Sequence, residues 1–236
     1  PNPYFQFKQF TVQQDRCAMK VCTDACLFGA LVAHKKSSAG NCLDIGAGTG
    51  LLSLMFAQQN PQAVIDAIEI DPEAAAQAGE NFKASPWKEN LHIIQADICS
   101  FTPDRKYDLV FSNPPFFEDD LRSLDARKNK AKHDTGLSLA ELLKQANALL
   151  SDNGVFAVLV PYHRVDYFVE EAGRYGLQLS KKIRVKQTEA HGYFRGILFF
   201  DRVTTTPETA VISIKDDKNE YTSEFTDLLR AYYLYL

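Results

Sequence analysis

A run of strand-forming residues that ends in two consecutive prolines limits what this chain can fold into more than any other stretch. It reads Tyr107-Asp108-Leu109-Val110-Phe111-Ser112-Asn113-Pro114-Pro115-Phe116-Phe117. Its first half is apolar, β-branched and aromatic, which suits a strand buried inside a sheet. The prolines remove two backbone donors and fix two φ angles, so a central strand cannot continue past Ser112. Asn113, standing before a proline, is driven to an extended conformation that aims its side chain. The Asn113 amide, the freed carbonyl of Pro114 and the ring of Phe116 are therefore expected at the C-terminal edge of a strand. Open α/β sheets bind ligands at that edge. Such a set suits a planar ring that carries an amino group.

The rest of the chain supplies a sheet for that strand. Asn41–Ile45, Val64–Ile70, Leu91–Gln95, Tyr107–Ser112 and Gly154–Val160 read as strands. Helical patterns separate them, at Leu51 to Gln59, from Pro72 to about Ser85, and on Leu139, Leu142, Leu143, Ala146 and Leu149. A further helix is expected over Val165–Tyr175, then two strands in succession, Gln178–Lys186 and Tyr193–Arg202. This order predicts a doubly wound, Rossmann-like α/β sheet of seven strands, mostly parallel with an antiparallel edge hairpin. Thr209–Ile214 reads as a further short strand and Ser223–Leu234 as a terminal helix. Tyr4, Phe5, Phe7 and Phe10 suggest a β-like arm, and Thr23-Asp24 a cap for the helix that follows. The 236 residues are expected to form a single domain: an arm and cap helix over 1–40, a core over 41–202 and an extension over 203–236.

A net charge of −4 gives no general attraction to nucleic acid, so any such partner must meet a local patch. No apolar run is long enough to cross a membrane. Five cysteines without a C-x-x-C pair, and no His/Cys cluster at ligand spacing, read as reduced thiols with no metal site, in the cytoplasm.

The first core strand closes on Leu43-Asp44-Ile45-Gly46-Ala47-Gly48-Thr49-Gly50. The dinucleotide fingerprint needs its third glycine one position later, where Leu51 stands, which argues against a bound pyrophosphate. Asp44 argues the same way, since a carboxylate repels phosphate but can accept from an ammonium group. The second strand ends at Glu69-Ile70-Asp71, where an acid can accept ribose hydroxyls. After the third strand, Asp97-Ile98 places a carboxylate for an adenine amino group. Each acid alone reads as a helix cap or a solvated loop residue. Three at successive strand ends fit one ligand with an ammonium, a ribose and an adenine but no phosphate, and S-adenosyl-L-methionine has those parts.

On these residues the chain resembles the class I S-adenosylmethionine-dependent methyltransferases, over roughly residues 20–200. The resemblance implies that Gly46, Gly48 and Gly50 wrap the methionine part, that Glu69 holds the ribose and that Asp97 holds the adenine amine. Ile70, Ile98 and Asn113 belong to the same cofactor set, and Asp71 ranks below Glu69. Asn113-Pro114-Pro115-Phe116 is similar to the (Asn/Asp)-Pro-Pro-(Tyr/Phe/Trp) signature of amino methyltransferases, whose substrates include adenine, guanine, cytosine and glutamine amide nitrogens. An exocyclic amine is a poor nucleophile because its lone pair is delocalised into the ring. Acceptors at Asn113 and Pro114 would favour a more tetrahedral nitrogen and strengthen as charge develops on it. Phe116, with Phe117 beside it, would stack on the base.

Two basic groups are candidates for RNA phosphates: Arg122, Arg127, Lys128, Lys130, Lys132 and His133 after the motif, and Lys181, Lys182, Arg184 and Lys186, with Arg195 nearby. Phe7-Lys8-Gln9-Phe10, Met19-Lys20-Val21-Cys22-Thr23-Asp24 and Leu137-Ser138-Leu139 are similar to segments of a bacterial tRNA adenine-N6 methyltransferase family. That family modifies the adenosine beside the anticodon of a valine tRNA. The resemblance implies a tRNA substrate, no obligate protein partner, and closure of Lys20, Thr23 and Asp24 over the methionine end of the cofactor. Cys22 stands where the family usually has glycine, and Lys132 where it usually has arginine. The alternatives are a guanine-N2 methyltransferase on ribosomal RNA, a glutamine-N5 protein methyltransferase, a non-catalytic RNA-binding module and, most distantly, a dehydrogenase.

Overall fold

The computed structural model of the chain describes residues 2–17, 19–35, 40–114 and 137–236. Its arm is a hairpin of β1 (Tyr4–Gln6) and β2 (Thr11–Gln13), with Tyr4 opposite Gln13 and Gln6 opposite Thr11. Then come α1 (Thr23–Lys35), β3 (Asn41–Ile45), α2 (Leu51–Gln59), β4 (Val64–Glu69), α3 (Pro72–Lys83), β5 (Leu91–Gln95) and β6 (Tyr107–Ser112). From residue 137 onward follow α4 (Leu139–Leu149), β7 (Leu150–Pro161), α5 (Val165–Arg174), β8 (Gln178–Lys186), β9 (Tyr193–Asp201), β10 (Glu208–Ser213) and α6 (Ser223–Leu229).

Strands β3 to β10 form one sheet in the order β10-β8-β9-β7-β6-β3-β4-β5. It is the doubly wound α/β sheet expected, parallel except for β9, which runs against both β7 and β8. The described sheet has eight strands rather than seven, because β10 pairs parallel to β8, Glu208 opposite Lys181 through Ser213 opposite Lys186. The antiparallel pair is therefore covered on its outer side by β10.

Alternation along the strands sorts side chains onto two faces. Cys42, Ile65, Leu109, Phe111, Ile197 and Phe199 pack with α1, α2 and α6 on one face. Leu43, Ile45, Val110, Phe156, Leu198 and Phe200 pack with α4 and α5 on the other. Both faces are covered, which is why the parallel strands read as near-continuous apolar runs rather than alternating ones.

Local signals set the helix ends. Asp71 caps α3 by accepting from the Glu73 and Ala74 N–H groups, with Pro72 at the first helical position. Ser138 and Glu141 form a reciprocal capping box on α4. In α1 the first helical bond runs from the Cys26 N–H to the Cys22 carbonyl, 3.1 Å. Thr23 and Asp24 thus lie in the first turn rather than ahead of it, which corrects their expected role as the cap. The terminal helix stops at Leu229, and buried Tyr232 donates its hydroxyl to the Met55 carbonyl, 3.1 Å.

Candidate active site

Sheet register assembles the site. Ile45 of β3 lies opposite Ser112 of β6 on one side and Ile68 of β4 on the other, while Glu69 lies opposite Gln95 of β5. One residue further along, Asn113, Gly46 and Glu69 stand side by side at the C-terminal edge. The strand order reverses between β3 and β6. That is the crevice in which open α/β sheets take their ligands. The Ser112 hydroxyl donates to the Ile45 carbonyl, 2.8 Å, and ties the two strand ends together.

The glycine loop departs from β3 with the Gly46 and Ala47 N–H groups both donating to the Ile68 carbonyl, at 2.9 and 3.0 Å. Gly46 and Gly48 have φ of +73° and +54°, which other residues adopt only with strain. A Cβ built on either meets nothing within 4 Å, so both face open space that a ligand can fill. Gly50 differs from its expected place in the cofactor set. It is buried, and a Cβ there would sit 2.4 Å from the Phe82 ring, so its smallness serves helix packing against α3.

Asp44 is fully buried on the face of α2. Its Oδ2 accepts from the Ser53 hydroxyl at 2.7 Å, and its Oδ1 has no hydrogen-bond partner among the described residues. Burial pushes its carboxyl up to about 7, with the charge of Glu69 adding to the rise and the Ser53 hydroxyl opposing it. An orphaned, buried carboxylate oxygen calls for a cationic donor, which is the chemistry of an ammonium group. Glu69 accepts from the Gly48 N–H on Oε2, 2.8 Å, and from the Asp71 N–H on Oε1, 2.9 Å. Its carboxylate is thereby fixed in orientation with lone pairs to spare. Beside it Ile70 is 66% exposed, an apolar surface at the strand end. Asp97 is exposed and accepts from the Cys99 N–H at 2.8 Å, so it caps a short 3₁₀ turn at the expected site position. The Ile98 side chain is buried in the core with α4, which leaves only its backbone for a ligand.

The arm crosses this edge. Buried Asn81 of α3 donates to the Thr49 carbonyl and the Gln13 carbonyl and accepts from the Gln13 N–H, welding the glycine loop to β2. Gln77 holds Asp15 and the Arg16 N–H. The Cys17 thiol is pushed up to about 11, by burial first and then by the charges of Glu69 and Asp71, so the arm passes those carboxylates. At its far end the Asn113 amide donates to Met19 Sδ, 3.7 Å. Cys17 thus lies near the end of β4, and Met19 beside the end of β6. Ser53, Asn81, Gln77 and Met19 were not legible as site residues. For Ser53, Asn81 and Gln77 the only sequence signal is polarity on helix faces otherwise spaced for burial, whereas Met19 is an exposed apolar residue of the arm that opens the Met19–Asp24 segment.

Lys20 is exposed on the arm, and Thr23 and Asp24 follow in the first turn of α1. Asp24 accepts from Arg195 Nε at 2.7 Å. The second basic group is not gathered as expected. Arg195 lies opposite Val185 on the α1 face, whereas Lys182 and Arg184 lie opposite Leu198 and Gly196 on the other. Period-two alternation divides them. Lys182 is also set back four residues from the strand end, about 13 Å by strand rise. Pro114 is described and buried. Pro115, Phe116, Phe117 and the first basic group, including Arg127, Lys128, Lys130, Lys132 and His133, lie outside the described residues. Among the described residues no cluster of His, Cys, Asp or Glu is placed to hold a metal, and no helix is long and apolar enough to cross a membrane.

Comparison with known proteins bears on this geometry. Residues 25–169 match the family model described as "Methyltransferase small domain". A protein of Dyadobacter fermentans named tRNA1(Val) (adenine(37)-N6)-methyltransferase is 42% identical, covering 99% of this chain and 98% of its own. A protein of Flavobacterium psychrophilum with the same name is 40% identical over 98% of this chain and 99% of its own. Among solved structures, a predicted O-methyltransferase from Agrobacterium tumefaciens superposes with a TM-score of 0.68 at 16% identity, over 88% of this chain and 96% of that one. At that identity the likeness is one of fold.

Proposed function

The chain belongs to the methyltransferase small-domain family, and on that premise we propose that it methylates N6 of an adenine in tRNA, with S-adenosyl-L-methionine as cofactor. The target is adenosine 37 in the anticodon loop of a valine tRNA, as the names of its full-length relatives indicate for those proteins. The proposed tRNA substrate fits a cytoplasmic location. The observation that carries the reading is the pairing of Ile45 with Ser112, which sets the glycine loop beside Asn113.

The site residues are assigned to the cofactor part by part. We assign the unpartnered Oδ1 of Asp44 and the open face at Gly46 and Gly48 to the methionine end, with Thr23, Asp24 and Lys20 closing the arm side. Glu69 would accept from the ribose, Ile70 would face the adenine, and Asp97 with the backbone of Ile98 would hold its amino group. When bound, the cofactor supplies an electrophilic methyl group on a sulfonium. Asn113 and the Pro114 carbonyl accept the two N–H groups of the target amine and hold its nitrogen for in-line attack. Their attraction grows as that nitrogen becomes positive, so it stabilises the transition state more than the ground state. No strong base is needed, because the methylated nitrogen loses its proton readily to water. Phe116 and Phe117 are assigned to the base, and Arg127, Lys128, Lys130, Lys132 and His133 to the RNA backbone, on the sequence motif alone.

The test is incubation with methyl-labelled S-adenosylmethionine and separate tRNA, ribosomal RNA, DNA and protein pools, followed by nucleoside analysis. Label in N6-methyladenosine of valine tRNA is expected. Label in N2-methylguanosine, or in protein, would overturn the assignment.

A further inference from the structure

We infer that Tyr162, Tyr193, Arg184 and Lys186 form a subsite for a nucleotide flanking the target adenine. This rests on the tRNA reading above and extends it to residues that the cofactor and target base do not use. Strand β7 runs parallel to β6 with Val158 opposite Ser112, and continues to Pro161. Tyr162 follows at the same sheet edge as Asn113. Strand β9 starts there, with Arg195 opposite Pro161, and β8 ends there, with Lys186 opposite Tyr193. Two strand spacings, roughly 10 Å, separate β6 from β9.

The four side chains form one cluster. The Tyr162 and Tyr193 rings are 4.8 Å apart, inclined at 48°. The Arg184 guanidinium stands 4.9 Å and the Lys186 ammonium 5.2 Å from the centre of the Tyr193 ring. Such contacts hold long cationic side chains in place. Arg184 Nε is buried with no hydrogen-bond partner among the described residues. Lys186 Nζ donates to the Glu189 carbonyl at 3.2 Å and lies 4.0 Å from the Glu189 carboxylate, whose other oxygen accepts from the Ser213 hydroxyl at 2.7 Å. Gly196 makes the arrangement possible: a Cβ there would meet Val165 Cγ2 at 2.4 Å, so only glycine lets the turn carrying Tyr162 settle onto β9.

On a chain of net charge −4, two ordered cations at the active-site edge are complementary to a polyanion. Arg184 presents a planar fork suited to a phosphate, and Lys186 a second charge beside it. Half-buried Tyr162 offers a ring on which a base can stack. The occupant is thus a single-stranded nucleotide with its phosphate, next to the flipped adenine.

The full chain is tested with a valine tRNA transcript. Arg184→Gln combined with Lys186→Gln is expected to raise KM about tenfold, an effect larger than that on kcat, and to lower the slope of log affinity against log salt by about 1.4, two single-strand phosphate contacts. Tyr162→Ala is expected to raise KM about tenfold with the salt slope unchanged. Arg184→Lys, which keeps the charge but not the fork, should restore the slope more than the affinity. Calorimetric S-adenosylmethionine affinity equal to wild type shows that each variant is folded. Unchanged KM and salt slope in the double variant, with wild-type protein methylating tRNA, would overturn this subsite alone. Wild-type protein that leaves tRNA unmodified would overturn the underlying reading instead.

Discussion

The Glu69 carboxylate accepts the backbone N–H of Gly48 at 2.8 Å, so the acid at the end of β4 also sets the shape of the loop at the end of β3. Its other oxygen holds the Asp71 N–H at 2.9 Å. Glu69→Gln would turn an NH₂ donor toward one of these amides and leave that amide unpaired, at a cost of about 1–3 kcal/mol. Cofactor affinity is expected to fall at least tenfold together with a lower Tm. Calorimetry and thermal unfolding check this, and a loss of affinity with Tm unchanged would separate the ligand role from the loop role.

Asp44 predicts a pH dependence. Its carboxyl is pushed up to about 7 in the folded protein, above the ordinary 3.8. A raised acid contributes stability that is present in full below about pH 4 and is lost as pH rises through 7. Asp44→Asn is therefore expected to flatten the fall in stability between pH 4 and 7, as followed by urea unfolding. The same carboxylate must be ionised to pair with an ammonium. Affinity for S-adenosylmethionine should weaken by up to about tenfold per pH unit below 7, and the variant should lose that dependence.

The glycines are expected to fail in different ways. Gly50→Ala adds left-handed strain and a contact 2.4 Å from Phe82, together roughly 2–4 kcal/mol, so Tm should drop by about 5–15 °C. Gly48→Ala meets no atom within 4 Å and carries strain only. Its Tm should change far less, while its cofactor affinity falls because the methyl projects into the open face. Equal losses of Tm would show that the two positions are not distinct.

Asn113→Ala removes an acceptor from the target amine without touching the glycine loop. A fall in kcat of about 10²–10³, larger than the fall in cofactor affinity, is expected. Single-turnover methylation of tRNA measures it. Full activity in this variant would refute the amine-holding role.

Arg195 is engaged with Asp24 across 171 residues of sequence. Arg195→Ala would leave a mostly buried carboxylate unpaired in the first turn of α1. The expected outcome is lower stability and weaker cofactor binding, with the salt slope of tRNA binding unchanged. A slope reduced by about 0.7 would return Arg195 to the RNA surface.

Sequence alone determined the elements and the order of chemistry along the chain. Two prolines after Ser112 had to end a central strand, and acids at the ends of β3, β4 and β5 had to arrive at one edge once the strands were parallel. Those inferences need only local sterics and periodicity. Tertiary structure decided which groups are shared, divided or buried. The register of β3 against β6 set Gly46 beside Asn113, and the approach of Phe82 gave Gly50 a packing role. Pleating sent Arg195 to one face and Arg184 to the other, although both had read as one basic group. Partners 60 or more residues apart, such as Gln13 with Asn81, leave no periodic trace in the sequence, because their pairing depends on how separate elements pack. The cluster at Tyr193 is of that kind: it exists only because Gly196 lets one turn lie down on the sheet.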